Sequence, residues 1–118
     1  MTKPKFLTVV GARPQFIKLA AVSPVLRRVG SEVIVHTGQH YDPGMSDVFF
    51  SELGIPRPDY NLGIGSGSHG YQTGRIMETI EEVMMGESPD WVIVYGDTNS
   101  TLAGAITAAK CGFKVAHV

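Results

Sequence analysis

The chain has 118 residues, of which 43% are hydrophobic and 18% are charged, a composition that suits one domain with a single core. With 10 Lys and Arg against 11 Asp and Glu, it lacks the basic excess that favours nucleic-acid binding, and its apolar runs are far shorter than the roughly 20 residues that span a bilayer. The one cysteine, Cys111, cannot form an internal disulfide, and no signal peptide is recognisable. We therefore expect a reducing, cytoplasmic environment.

Four short segments are apolar at consecutive positions and rich in β-branched residues, which is typical of strands buried on both faces. Segments with helical spacing of apolar residues lie between them. In chain order the predicted elements are strand 6–10, helix 16–29, strand 32–37, short helix 43–53, edge strand 58–62, helix 76–84, strand 91–95, helix 101–111 and strand 114–118. The sequence thus predicts an α/β domain with a doubly wound, mostly parallel sheet of five strands.

A glycine-rich segment at residues 63–70 contains a G-x-G-x-x-G pattern at Gly65, Gly67 and Gly70. In dinucleotide-binding domains this pattern follows the central, apolar first strand, whereas here it follows a polar edge strand. We therefore interpret the segment as a loop, expect no dinucleotide cofactor, and expect His69 to be solvated unless the loop closes over a ligand.

The turn after the first strand carries two cations, Arg13 and Lys18, around the start of a helix. Pro14 suits the first helical position, and Arg13 is a poor cap, so we expect helix amides to be free to meet an anion. A forked guanidinium and a second positive charge one turn later would add to such a site. This context favours phosphate binding over the alternative, in which both side chains are solvated surface charges.

The turns after two further strands carry polar side chains at the same edge of the predicted sheet, where open α/β sheets bind ligands. Gln39 and His40 follow the second strand. Because His40 lies on the same edge as Arg13, we give it a functional role as readily as a surface or packing role.

Asp97 follows the strand at 91–95 and precedes a helix. Asp is a good helix cap, but Thr98, Asn99 and Ser100 can all provide that cap. We therefore interpret Asp97 as available for a ligand or a proton.

Three longer motifs occur together and in order: Gly-Ala-Arg-Pro-Gln-Phe-Ile-Lys at 11–18, His-Thr-Gly-Gln-His-Tyr at 36–41, and Tyr-Gly-Asp-Thr-Asn-Ser-Thr-Leu-Ala-Gly at 95–104. This combination resembles the amino-terminal domain of the non-hydrolysing UDP-N-acetylglucosamine 2-epimerases, over essentially all 118 residues. The resemblance implies two Rossmann-like domains of the glycosyltransferase-B type, of which residues 1–118 are the first, with a UDP-sugar in the cleft between them and a homodimer as the assembly.

The resemblance also implies roles for particular residues. Arg13 and Lys18 match positions at the nucleotide-sugar site, and Asp97 matches one of the acid/base carboxylates. Gln39 and His40 match a strip that, in some bacterial members, helps to hold a second, regulatory UDP-GlcNAc.

The reaction that the resemblance implies is reversible inversion at C2 of UDP-GlcNAc to give UDP-ManNAc, by elimination and readdition of UDP. It requires no metal or other cofactor. The motifs fit UDP-GlcNAc and its 2,3-diacetamido uronic acid relative equally well. Family members continue beyond Val118 into a glutamate-bearing loop and a second domain, so we expect the 118 residues alone to be inactive.

Three alternatives stay open from the sequence. A glycosyltransferase of the same architecture would transfer the sugar to an acceptor, and a hydrolysing epimerase would release free ManNAc and UDP. A non-catalytic nucleotide-binding or oligomerisation module would do neither. Analysis of the reaction products distinguishes all three from the epimerase.

Overall fold

The structure is a computed structural model that describes residues 3–39 and 47–118. Five strands and four helices alternate in this part of the chain: β1 Lys5–Val10, α1 Arg13–Val29, β2 Ser31–His36, α2 Asp47–Leu53, β3 Tyr60–Asn61, α3 His69–Glu87, β4 Trp91–Val94, α4 Asn99–Lys110 and β5 Lys114–His117. The strand order is β3-β2-β1-β4-β5. Every neighbouring pair is parallel, so the predicted doubly wound fold is confirmed and the sheet is entirely parallel.

Helices cover both faces of the sheet. Alternate residues of β1 point to opposite sides, so Phe6 packs in a cluster with Phe16 of α1, whereas Leu7 packs in a second cluster with Ile80 of α3. Helix α2 joins the first cluster and α4 joins the second. Burial on both faces explains why the central strands are apolar at consecutive positions.

Helix α4 packs closely against the strands beneath it. A Cβ atom at Gly104 would lie 3.2 Å from Val94 Cγ1 and 3.3 Å from Val9 Cγ2, so little space separates the helix from the sheet. The small residues of this helix permit that distance, which places its amino terminus at the carboxyl edge of β1 and β4.

Helix α3 begins seven residues earlier than the apolar spacing predicts. Ser68 caps it, with its Oγ accepting a hydrogen bond from the Tyr71 amide at 3.3 Å. The predicted loop at 63–70 is therefore partly wrong, because its last two residues are helical and the glycines that follow are tolerated within the helix. None of the helices in the described ranges is long and apolar enough to cross a membrane.

Candidate functional site

The carboxyl edge of the sheet brings together residues that are far apart in sequence. A cavity of about 190 Å³ lies between the turns that follow β1 and β4, and Lys18 and Asp97 both line it. A second cavity, of about 330 Å³, is lined by Gln39, His69 and Asp97 among others. Asp97 thus borders both cavities, and the structure brings it close to two of the other predicted site residues.

Arg13 is the first residue of α1 and is exposed. Its guanidinium carbon lies 4.9 Å from the centroid of the Phe49 ring of α2, which is a cation–π contact. This contact orients a planar, permanently charged group at the carboxyl edge of β1. Arg13 is not among the residues that line the two cavities, so its place in a phosphate site stays a prediction.

The expectation that the amides at the start of α1 are free is wrong for Gln15 and Phe16, whose amides donate to the Ala12 carbonyl oxygen at 3.0 Å and 3.3 Å. The two amides just before the helix are also engaged. The amides of Gly11 and Ala12 donate to Oε1 of Gln15, at 2.7 Å and 3.1 Å. Ala12, at the cap position, has no side-chain oxygen, and Gln15 supplies the acceptor from within the helix. The phosphate interpretation therefore depends on the side chains of Arg13 and Lys18, and not on these two amides.

Gln39 turns inward, towards the start of α4. Its Oε1 accepts hydrogen bonds from the Ser100 amide at 2.9 Å and from Ser100 Oγ. Ser100 Oγ in turn lies 2.8 Å from Thr37 Oγ1. Gln39 is buried at 7% exposure, so its side-chain oxygen stabilises the helix terminus beneath the site. The other predicted residue of this turn, His40, lies outside the described residues.

Asp97 is not the cap of α4, in agreement with the sequence analysis. Thr98 occupies the cap position, and its side chain accepts from the Thr101 amide. Gly96, with φ of +69°, makes the turn that precedes Asp97, and its carbonyl oxygen lies 2.6 Å from Nε2 of His117 on β5. The Asp97 side chain is exposed at the edge of both cavities, where it can reach a bound ligand.

Three polar side chains at this edge were not predicted as site residues. Asn99 Nδ2 donates to Gln72 Oε1 at 2.8 Å and lies 3.1 Å from His69 Nδ1. Gln72 Nε2 donates to the carbonyl oxygen of Gln39 at 3.2 Å. His69 is exposed, as expected, and the early start of α3 also places it beside α4, in contact with Asn99. The Ser68 cap is the sequence signal that could have shown this.

His36 supports the turn that carries Gln39. Its Nδ1 accepts a hydrogen bond from the Gly38 amide at 3.2 Å, and its ring contacts Phe16 edge-on at 5.0 Å between centroids. Burial lowers the pKa of His36 below its usual value, against a smaller opposing effect of a backbone hydrogen bond with Val10. The imidazole is therefore neutral near pH 7, as an acceptor at Nδ1 requires.

The described residues contain no group of three or more His, Cys, Asp or Glu side chains arranged to hold a metal ion. The expectation that the reaction needs no metal stays a prediction.

Comparison with known proteins relates this chain to one family. The family model described as UDP-N-acetylglucosamine 2-epimerase matches residues 26–118. A UDP-N-acetylglucosamine 2-epimerase homolog from Methanococcus maripaludis is 61% identical over 97% of this chain and 32% of its own length. A UDP-2,3-diacetamido-2,3-dideoxy-D-glucuronate 2-epimerase from Pseudomonas aeruginosa is 55% identical over 97% of this chain and 33% of its own length.

A solved structure shows the same relationship. The crystal structure of Methanocaldococcus jannaschii UDP-GlcNAc 2-epimerase in complex with UDP-GlcNAc and UDP superposes with a TM-score of 0.86 at 46% identity. The match covers 100% of this chain and 32% of that one. The chain therefore spans about a third of the length of these relatives.

Proposed function

The chain belongs to the UDP-N-acetylglucosamine 2-epimerase family, and on that premise we propose that it is the domain of a UDP-sugar 2-epimerase that holds the diphosphate and one acid/base carboxylate. The observation that carries this proposal is the cavity of about 190 Å³ that both Lys18 and Asp97 line. A cation beside a carboxylate in one cleft is what a reaction with a diphosphate leaving group and a proton transfer requires.

The proposed reaction proceeds by elimination and readdition. A base removes the proton from C2 of the sugar, the C1–oxygen bond breaks, and UDP leaves with the bonding electrons, which gives a 2-acetamidoglucal. A proton then returns to C2 on the opposite face, and a phosphate oxygen of UDP attacks C1 again. Arg13 and Lys18 stabilise the negative charge on the departing UDP, and Asp97 handles one of the two protons. The carboxylate for the other face belongs to the rest of the protein.

The rest of the architecture is also a proposal. Because the relatives are about three times as long as this chain, we place the site in a cleft between this Rossmann-like domain and a second one, in a glycosyltransferase-B arrangement. We further propose a homodimer in the cytoplasm. On this account the 118 residues alone do not turn over substrate, because half of the cleft is missing.

The substrate has two candidates, and the relatives support both. The solved relative binds UDP-GlcNAc, which favours UDP-GlcNAc as substrate and UDP-ManNAc as product. The 55% identity to the Pseudomonas aeruginosa enzyme favours the 2,3-diacetamido glucuronate derivative of the UDP-sugar as the second candidate. The two differ at C3 and C6 of the sugar, so a direct comparison of turnover decides between them.

The test is product analysis with a full-length epimerase that contains this domain. We expect one of the two UDP-sugars to be converted reversibly to its C2 epimer with the UDP linkage intact, as followed by proton NMR. Release of free N-acetylmannosamine and UDP would instead indicate a hydrolysing epimerase, and transfer to an added acceptor would indicate a glycosyltransferase. No turnover of either sugar would contradict the proposal and favour a non-catalytic nucleotide-binding or oligomerisation module.

A further inference from the structure

Gln15 uses both ends of its side-chain amide to join the two turns of the proposed site. We call residues 11–14, after β1, the first site turn and residues 95–98, after β4, the second site turn. Gln15 is the third residue of α1, and it is only 3% exposed. A buried primary amide must satisfy one acceptor and two donor hydrogens, and the partners it finds define what it holds together.

The oxygen of Gln15 holds the first site turn. Oε1 accepts from the Gly11 amide at 2.7 Å and from the Ala12 amide at 3.1 Å. The space beside this turn is already filled, because a Cβ atom at Gly11 would lie 2.3 Å from Thr37 Oγ1 and 2.4 Å from Ser100 Oγ. The first site turn is thus fixed between its own helix and the start of α4.

The nitrogen of Gln15 reaches across to the second site turn. Nε2 donates to the Tyr95 carbonyl oxygen at 2.7 Å, to Thr98 Oγ1 at 2.9 Å and towards Thr101 Oγ1 at 3.2 Å. These partners are 80 or more residues away in sequence. Capping of α1 needs only an acceptor, so it explains the role of Oε1 and leaves the role of Nε2 unexplained.

We propose that Gln15 is a positioning residue that sets the separation between the diphosphate-binding cations and the proton-handling Asp97. The inference rests on the proposed function, because it assigns Gln15 to the same site. Arg13 follows the amides that Oε1 holds, and Asp97 lies between two residues, Tyr95 and Thr98, that Nε2 contacts. Loss of the bridge leaves the Thr98 cap of the second site turn in place and lets the two turns move relative to each other. A displacement of about 1 Å at a reacting group costs on the order of 10²-fold in rate.

The first test replaces Gln15 by methionine in a full-length epimerase that contains this domain. Gln15→Met keeps the length of the side chain and removes both hydrogen-bonding ends. We expect kcat to fall about 10²-fold while the dissociation constant for UDP changes by less than about 5-fold, because alignment is lost and the cations remain.

The matched control is Thr8→Val, which removes a buried hydroxyl that donates to Glu32 and touches neither site turn. We expect it to lower the melting temperature and to keep kcat near the wild-type value. If the Thr8→Val and Gln15→Met variants have equal melting temperatures and kcat falls equally in both, the role of Gln15 is structural only and the inference is wrong.

A double-mutant cycle tests whether Gln15 acts through Asp97. In an Asp97→Asn background, which has already lost the proton-handling group, we expect Gln15→Met to reduce the remaining turnover by less than about 3-fold. If the two substitutions instead reduce turnover by factors that multiply, they act independently and the inference is wrong. Normal turnover of the Asp97→Asn protein would instead contradict the proposed function, so the two failures are distinguishable.

If the Gln15→Met variant does not fold, Gln15→Glu can be used in its place. The carboxylate keeps an acceptor for the Gly11 and Ala12 amides and loses the donor to the Tyr95 carbonyl. We expect kcat below the wild type at neutral pH, with recovery as the pH falls and the carboxyl group gains a proton to donate. A wild-type kcat and a wild-type pH profile would show that the bridge to the second site turn is not needed.

Discussion

Two of the buried polar networks among the described residues differ in what they connect. The first, the Glu32 cluster, consists of Glu32 with Thr8, Ser23 and Arg27. Thr8 Oγ1 donates to Glu32 Oε2 at 2.6 Å, and Ser23 Oγ and Arg27 Nε donate to Oε1, the latter at 3.1 Å. The Glu32 side chain is fully buried, whereas that of Arg27 is 38% exposed. All four residues lie within the β1-α1-β2 unit.

The second network, centred on Gln15, is neutral and joins segments that are 80 or more residues apart. It lies at the carboxyl edge, and Gln15 lines the same cavity as Lys18 and Asp97. A buried charge must be fully hydrogen-bonded or the fold loses stability, so the Glu32 cluster contributes to folding. The Gln15 network fixes the relative position of two turns. The comparison separates residues that stabilise the domain from residues that shape its site.

The largest expected effect is on folding, from removal of the buried carboxylate. In Glu32→Ala, Thr8 and Ser23 lose their acceptor, and we expect the free energy of unfolding to fall by about 3 kcal/mol. Urea denaturation of the 118-residue chain measures this loss, with Glu52→Ala as a control at an exposed carboxylate. UDP affinity of the folded full-length variant should stay unchanged. A small loss of stability together with a large loss of UDP affinity would instead place Glu32 among the residues that shape the site.

The next effect is on ligand binding, from removal of a cation at the site. Arg13→Ala should weaken UDP binding by about 2–3 kcal/mol, the scale of a charge-assisted hydrogen bond to phosphate. Calorimetric titration of a full-length epimerase measures it. Arg28→Ala is the matched control, because Arg28 is an exposed arginine at the opposite end of α1. Equal UDP affinities for the two variants would show that Arg13 does not bind UDP.

A substitution at Gly11 should affect both folding and the site, because this residue packs closely against the turn after β2 and the start of α4. The new methyl group of Gly11→Ala would overlap Thr37 Oγ1 and Ser100 Oγ, and we expect a loss of about 1–3 kcal/mol in stability. Gly74→Ala is the control, since a Cβ atom there meets nothing within 4 Å and a helical alanine should stabilise α3. Thermal unfolding that gives both variants the same sign of change would contradict the packing at Gly11.

The smallest effect is a pH dependence that comes from His36. Because burial lowers its pKa in the folded state, protonation favours the unfolded chain, and stability is complete above the unfolded pKa of 6.5. Stability should therefore decline as the pH falls below that value and through the folded pKa. Asn can accept from the Gly38 amide in place of Nδ1, so His36→Asn should flatten this part of the profile. An unchanged profile in that variant would assign the decline to another group.

Strands β1, β2 and β4 and their burial could be predicted from the sequence, because a parallel strand covered on both faces must be largely apolar. The burial predicted for β5 is wrong, because this strand lies at the edge of the sheet and has no buried residue. The start of α3 could not be predicted from the apolar spacing, because Gly70 and Gly74 interrupt it and only Ser68 marks the helix terminus. The positions of Arg13, Lys18 and Asp97 at one edge followed from the rule that parallel strands end together.

The roles of two glutamines could not be predicted, because both depend on partners that are distant in sequence. Gln39 follows a strand as a ligand-binding residue would, yet its side chain turns inward to the Ser100 amide. Gln15 resembles an ordinary helix residue until the fold brings Tyr95 and Thr98 beside it. Local pattern identifies the turns at the carboxyl edge of the sheet, and tertiary packing decides which partners their side chains contact.

The most direct test of the proposed function is proton exchange at C2 of the UDP-sugar. Asp97→Asn keeps the size of the side chain, leaves the Thr98 cap in place and removes the ionisable group. In deuterium oxide, the wild-type full-length enzyme should incorporate deuterium at C2. In the Asp97→Asn variant the rate of incorporation should fall by about 10²-fold or more, while the melting temperature stays unchanged. Near-normal incorporation by a well-folded Asp97→Asn protein would contradict the account and assign both proton transfers to other carboxylates.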